Sequence, residues 1–196
     1  MDAALDLTFA CALKVEDRIA RRAGARSAVV GQGANLPLPD GRLVSFGFAG
    51  ALADELEAGT LLTASKIVDP TGSVLWEGDP LAVPGAVPAV ICWSADEVVN
   101  EAEARRALAR SSGAVAVDME SGRLAETGRL AGAVRAISDT GARPVGALAS
   151  AGKADGGTDW KVVAKAFVRE PVGSIHTTRD ARKAIKALHG AAEALS

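Results

Sequence analysis

The fold is decided by one segment, residues 114–141, which reads AVAVDMESGRLAETGRLAGAVRAISDTG. It begins with a short apolar run, Ala114–Val117, that predicts a buried strand. A helix is predicted over Glu120–Leu130, and a second apolar run, Val134–Ser138, predicts another strand. A strand, a helix and a further strand in this order are typical of an α/β protein.

The same alternation extends through the rest of the chain. Further strands are predicted at Leu5–Ala12, Ser27–Val30, Leu43–Phe46, Thr60–Val68 and Val90–Cys92. Further helices are predicted at Glu16–Arg22, Glu101–Arg110, Asp159–Arg169 and Arg179–Leu195, the last two separated by Pro171 and Gly173. This pattern predicts a sheet covered by helices on both faces, in a single domain that spans residues 1–196.

Three local features refine this prediction. The small residues GFAGAL after the third strand predict a turn, and four prolines among residues 70–88 predict a loop. Glu101 and Arg105 are four residues apart on a predicted helix, so we expect them to form a surface ion pair.

The composition narrows the possible functions. The chain has 196 residues, 48% hydrophobic and 23% charged, which indicates a globular protein. A net charge of -2 and an aromatic content of 4% give no basis for nucleic-acid binding. Cys11 and Cys92 lie in apolar runs, so we expect reduced core cysteines in a cytoplasmic protein. No metal-ligand spacing is present, and we expect neither a metal nor another cofactor.

Acidic residues follow several of the predicted strands. Glu16 follows the first strand, and Asp118 and Glu120 follow the strand at 114–117. Asp139 comes directly after the strand at 134–138. Such a residue alone can cap the next helix or pair with a basic neighbour. Functional residues of open α/β sheets gather at strand ends, so the set as a whole predicts a site.

Four motifs in order resemble the superfamily of purine nucleoside phosphorylases and methylthioadenosine/S-adenosylhomocysteine nucleosidases. They are VAVDMES at 115–121, VRAISDTG at 134–141, VSFGFAGALADELEAGTLLTASKIVD at 44–69 and CALKVE at 11–16. The resemblance implies a three-layer αβα fold with a central mixed, twisted β-sheet. It also implies cleavage of the N-glycosidic bond of a purine nucleoside.

The resemblance assigns roles to three carboxylates. Asp139 faces purine N7 and protonates the leaving base, since a carboxyl group in a closed, partly apolar pocket can keep its proton. Glu120 binds the ribose hydroxyls and favours the cationic, oxocarbenium-like sugar of the transition state. Glu16 corresponds to the residue that activates the attacking water in nucleosidases.

The resemblance also implies the residues that line the substrate. The main chain of the SADEVV segment reads the purine edge, and Met119 packs under the ribose. The expected substrate-binding residues are Met119, Phe48, Gly47, Ala49, Val98, Val99 and Ser138. The loop GQGAN offers the backbone N–H groups of Gly31 and Gly33 to a phosphate.

Several sequence features resemble those of the hopanoid-associated phosphorylases, including the SFGFAG turn, the DMES motif and a basic C-terminal helix. Phe48 stands where most relatives carry a small hydroxyl residue, and an apolar wall suits a lipid-linked nucleoside. This subgroup implies phosphorolysis of adenosylhopane, with phosphate as co-substrate and adenine as product.

Two alternatives remain open: a hydrolytic methylthioadenosine/S-adenosylhomocysteine-type nucleosidase, and a nucleoside- or lipid-binding member without turnover. We also expect a homodimer. The basic C-terminal helix suggests peripheral contact with the inner membrane surface.

Overall fold

The computed structural model describes residues 7–94, 99, 101–140, 157 and 171–196, with only the backbone described for 171–178. The strands are β1 Leu7–Cys11, β2 Ser27–Val29, β3 Arg42–Ala51, β4 Leu61–Val68, β5 Val74–Glu77, β6 Val87–Trp93, β7 Ala116–Asp118 and β8 Leu130–Asp139. The helices are α1 Lys14–Arg22, α2 Ala102–Ser112, α3 Ser121–Ala125 and α4 Pro171–Leu195. The predicted helix Asp159–Arg169 lies outside the described residues.

The eight strands form one mixed sheet, as predicted. Their order is β2-β1-β3-β7-β6-β4-β5, and β8 pairs with both β3 and β4. The pairing β3–β7–β6–β4–β8 therefore closes on itself. Strand β3 is parallel to β1 and β8 but antiparallel to β7. As a result, β7 runs back along β3 from Ala51, and the residues after Asp118 return towards the middle of that strand.

Helices pack against both faces of the sheet, which confirms the α/β architecture. Alternate residues of a strand point to opposite faces. Val44 and Phe46 of β3 join a core cluster with α1 and α4, to which Ile19 and Leu188 belong. Leu43 and Ala49 of the same strand join a different cluster, which contains Leu124 and Ala125 of α3.

The turn predicted at GFAGAL is wrong, because β3 continues through these residues to Ala51. The reason is non-local: β8 pairs with β3 from Leu43 to Gly50, and β7 pairs with its last two residues. Hydrogen bonds from both sides keep the segment extended despite its small side chains.

Residues 70–88 are dominated by loop, as predicted, but they include the short strand β5, which pairs antiparallel with β4. One helix boundary is corrected. The helix predicted over Glu120–Leu130 ends at Ala125, because Gly128 has a φ of 68° and Leu130 already belongs to β8. A left-handed residue of this kind terminates a helix, and glycine adopts it without strain.

Helix α4 is continuous from Pro171, so Gly173 does not interrupt it. Proline is well tolerated in the first turn of a helix, where its missing N–H is not needed. The apolar face of α4 is buried against the sheet through Ala184 and Leu188. Its exposed face is basic and carries Arg179, Arg182, Lys183 and Lys186.

The expected membrane contact stays a prediction, and it would act mainly through these charges because apolar side chains of α4 such as Ala184 and Leu188 are buried. No helix within the described part of the chain combines the length and the apolarity that crossing a bilayer requires.

We predict that Leu188→Ala lowers the free energy of unfolding by about 2–5 kcal/mol, because it leaves a cavity in the core under α4. Leu188 is fully buried. Ile185→Ala on the same helix is the control, since Ile185 is 36% exposed and should cost well under half of that. Urea denaturation measures both, and equal losses would contradict the packing of α4 described above.

Candidate active site

Glu16 is buried in the first turn of α1, although a glutamate on a charged helix normally lies at the surface. Its Oε2 accepts a hydrogen bond from the N–H of Leu13 at 2.8 Å, and its Oε1 accepts one from the N–H of Phe48 at 2.9 Å. The first bond caps α1, and the second ties the helix to β3. The side chain therefore reaches over the carboxyl end of the sheet.

Gly47 provides the space for this carboxylate. A β-carbon at Gly47 would overlap Glu16 Oε1 and would lie 2.9 Å from Nη1 of Arg135. Arg135 is also the residue that pairs with Gly47 in the β3–β8 register. The Glu16 carboxylate and the Arg135 guanidinium thus share the space that a side chain at position 47 would fill.

Arg135 is the centre of a buried ion cluster. Its Nε donates to Oδ2 of Asp118 at 2.7 Å, and its Nη2 donates to the hydroxyl of Ser45 at 2.6 Å. The same Nη2 lies 3.7 Å from Oε2 of Glu120. Its side chain is 1% exposed. Burial lowers the pKa of Arg135, but Asp118, Glu120 and Glu16 outweigh it and raise that pKa above its usual value.

Asp118 has a structural task besides its pairing with Arg135. Its Oδ1 accepts hydrogen bonds from the N–H and the hydroxyl of Ser121, at 3.1 and 2.6 Å. These bonds satisfy donors at the start of α3. Asp118 therefore orients both the guanidinium and the helix that follows, which fixes Glu120 between them.

Glu120 is buried and lies against the GQGAN loop. Its Oε1 accepts the N–H of Gly33 at 3.0 Å. Gly31 and Gly33 have φ values of 74° and 65°, a conformation that favours glycine. The loop predicted to bind phosphate is thus at the site, but the N–H of Gly33 is directed to a carboxylate.

Burial dominates the ionisation of the two glutamates. It raises the pKa of Glu120 above the usual range, and Asp118 and Glu16 add to the rise, while Arg135 and the Gly33 N–H oppose it. Burial likewise raises the pKa of Glu16, opposed by Arg135 and by the backbone N–H groups of Leu13 and Phe48. Both carboxyl groups therefore hold a proton more readily than a solvent-exposed glutamate does.

Asp139 belongs to a second buried cluster at the end of β8. Its Oδ2 is ion-paired with Nη2 of Arg105, and its Oδ1 accepts the hydroxyl of Ser138 at 2.7 Å. A β-carbon on Gly50 would lie 3.3 Å from both Asp139 Oδ2 and Arg105 Nη1. We expected a partly apolar environment for Asp139, but its immediate partners are polar.

The predicted surface pair of Arg105 with Glu101 is wrong, because Arg105 is 2% exposed and turns into the protein. Besides Asp139, it donates from Nε to the carbonyl of Val99 at 2.7 Å and from Nη1 to the carbonyl of Ala51 at 2.9 Å. A long cationic side chain on α2 thereby spans to the ends of β3 and β8.

The two clusters are three residues apart on β3, at Gly47 and Gly50. Three residues of a strand cover about 10 Å, which is comparable with the length of a nucleoside. Strand β3 therefore carries the Glu16–Arg135–Glu120 group near its middle and the Arg105–Asp139 pair near its end.

The other predicted residues border these clusters. Phe48 is partly buried and packs against the core under α1 and α4. The carbonyl of Ala49 lies 3.3 Å from the Ser138 hydroxyl, and the carbonyl of Met119 accepts the indole N–H of Trp93 at 2.9 Å. Val98 lies outside the described residues.

Sequence reasoning missed Arg135, Arg105, Ser45 and Trp93. For Arg135 a signal existed, since it is a charge inside the otherwise apolar strand LAGAVRAIS. An arginine within a buried strand needs a buried anionic partner. Among the described residues, no group of three or more potential ligands could hold a metal ion.

No protein-family model matches the chain. No curated protein matches it either. Solved structures do match over nearly the whole length. The 5′-methylthioadenosine/S-adenosylhomocysteine nucleosidase of Helicobacter pylori is 15% identical, with a TM-score of 0.59, over 98% of this chain and 96% of that one.

Two other solved structures agree with this likeness. The corresponding nucleosidase of S. pneumoniae, solved with a transition-state inhibitor, is 14% identical with a TM-score of 0.58, over 97% of this chain and 99% of that one. The futalosine hydrolase of H. pylori is 14% identical with a TM-score of 0.56, over 94% and 95%. The chain therefore has the same fold as these nucleosidases and the futalosine hydrolase.

Proposed function

We propose that this protein cleaves the N-glycosidic bond of a purine nucleoside, with adenine as the leaving base and water as the nucleophile. The observation that carries the proposal is the burial of Glu16 and Glu120 around Arg135, beside strands β3 and β8 of a nucleosidase fold. Burying several carboxylates together has a large free-energy cost, and such arrangements are typical of active sites.

In the proposed reaction, the oxygen of water attacks the ribose C1′ while Glu16 accepts a proton from that water. The C1′–N9 bond breaks and its electron pair moves into the adenine ring. Asp139 donates a proton to N7, so that neutral adenine leaves. Glu120 binds the ribose hydroxyls and stabilises the positive charge that develops on the sugar.

Two features of Glu16 favour its role as the base. The N–H groups of Leu13 and Phe48 hold its carboxylate in one orientation. Its raised pKa makes it a stronger base than a solvent-exposed glutamate.

Phosphorolysis of a lipid-linked nucleoside such as adenosylhopane is the second candidate. It is favoured by the position of the GQGAN loop, which the Gly33–Glu120 hydrogen bond brings to the site. The partly exposed ring of Phe48 beside Glu16 adds an apolar surface that suits a hydrocarbon substituent.

We predict that the purified protein releases adenine from methylthioadenosine, S-adenosylhomocysteine or an adenosyl lipid at equal rates with and without phosphate. Chromatographic detection of adenine in phosphate-free and phosphate-containing buffer measures this directly. A strict requirement for phosphate would replace hydrolysis by phosphorolysis. Binding of adenine without release from any of these nucleosides would support the non-catalytic alternative and refute the proposal.

We predict that Asp139→Asn lowers kcat by more than about 100-fold, the usual loss when a general acid is removed. The control is Asp54→Asn, because Asp54 is an exposed aspartate and should leave the rate unchanged. Steady-state kinetics of adenine release compares the variants. Turnover of Asp139→Asn at the wild-type rate would remove Asp139 from the mechanism.

The pH dependence of kcat/KM tests whether Glu16 acts as the base. Glu16 must be ionised to accept a proton, and burial raises its pKa, so activity is present above that raised pKa and lost as the pH falls through it. We predict an acidic limb of kcat/KM that lies above pH 4.3, the value of an unperturbed glutamate. A profile measured from about pH 4 to pH 9 locates the limb, and a limb near 4.3 would exclude a buried glutamate as the base.

A further inference from the structure

Arg105 is a buried cation that the proposed reaction does not yet use. It is 2% exposed, and each of its three nitrogens has a partner on a different segment. Nε donates to the carbonyl of Val99, Nη1 to the carbonyl of Ala51, and Nη2 to Asp139. One side chain thus connects the segment before α2 with the ends of β3 and β8.

The space for this connection is built into β3. Gly50 pairs with Asp139 in the sheet, and a β-carbon at that position would lie within 3.5 Å of Nη1 and Nη2 of Arg105. The ion pair therefore lies directly over the backbone of the strand. Ser138 completes the arrangement with a hydrogen bond to the other oxygen of Asp139.

We propose that Arg105 is a positioning residue for the departure of the base: it orients the Asp139 carboxyl group and joins it to the Val99 main chain. This inference rests on the proposed function. When Asp139 gives its proton to the purine, it is left as a buried carboxylate. The guanidinium beside it stabilises that charge and so favours the transfer. The proton moves from Asp139 to the base, and Arg105 keeps all of its own protons.

The fork geometry of arginine is essential to this role. An arginine side chain can donate hydrogen bonds to a carboxylate and two carbonyls at once, because its N–H donors lie in a rigid plane. A lysine would bring the charge but only a single donor atom. Arg105→Lys should therefore retain part of the activity, while Arg105→Met should lose both the charge and the orientation of Asp139.

The test compares two substrates that differ only in what the leaving group needs. Adenine requires a proton to depart, whereas 4-nitrophenolate leaves a riboside without one. We expect Arg105→Met to lower kcat for adenine release by about 100-fold, the scale of lost acid catalysis, and to leave 4-nitrophenyl riboside cleavage close to the wild-type rate. Arg106→Met is the matched control. Arg106 is the next residue on α2 and is exposed, so this variant should cleave both substrates at the wild-type rate.

A double variant separates positioning from a general loss of structure. Arg105→Met alone leaves Asp139 as an unpaired buried charge and can unfold the chain, whereas Arg105→Met with Asp139→Asn removes both charges. If Arg105 acts through Asp139, the double variant loses no more activity towards the adenine nucleoside than Asp139→Asn alone. Losses that multiply, or an equal loss on both substrates, would overturn the inference.

Failure of the role proposed for Arg105 can be distinguished from failure of the proposed nucleosidase activity. If the wild-type protein releases no adenine, the proposed function is wrong, and adenine binding by calorimetry then tests Arg105. We expect Arg105→Lys and the double variant to bind adenine more weakly, because Val99 and Asp139 are no longer joined. Affinities equal to the wild-type value would refute the role of Arg105.

Discussion

The guanidinium of Arg135 lies buried among Asp118, Glu120 and Glu16, and the rest of the site depends on this contact. Carboxylates crowded into a buried space repel one another and lose their hydration, so they are tolerated only with a compensating cation. Arg135 supplies that charge from the middle of β8. Its position in a paired strand fixes the cation far more firmly than a loop would.

Small residues in β3 make the arrangement possible. Gly47 leaves room for Glu16 and Arg135, and Gly50 leaves room for Arg105 and Asp139. The same strand is held by β8 on one side and, at its end, by β7 on the other. A rigid strand without side chains at these two positions can thus support both the cluster that we propose for the sugar and the cluster that we propose for the base.

The chemistry proposed for the two clusters follows from their different environments. Burial is the main influence on the pKa of Glu16 and of Glu120 and raises both. These two carboxyl groups are the ones proposed to act as the base and to stabilise the developing positive charge. Asp139 instead has a full cation and a hydroxyl as partners. The base role proposed for Glu16 and the acid role proposed for Asp139 thus fall on carboxyl groups in different environments.

The fold class, the approximate strand positions and the carboxylates at the strand ends could all be predicted from the sequence. Hydrophobic runs and residue types carry that information locally, and Glu16, Glu120 and Asp139 could be chosen from it. Three features became visible only in the folded protein. Strand β3 extends through GFAGA, Arg105 pairs with Asp139 rather than with Glu101, and Arg135 pairs with the buried acids. These outcomes depend on strand pairing and on partners 17 to 34 residues away in the chain. Local periodicity does not encode which distant segment supplies a hydrogen bond or a charge.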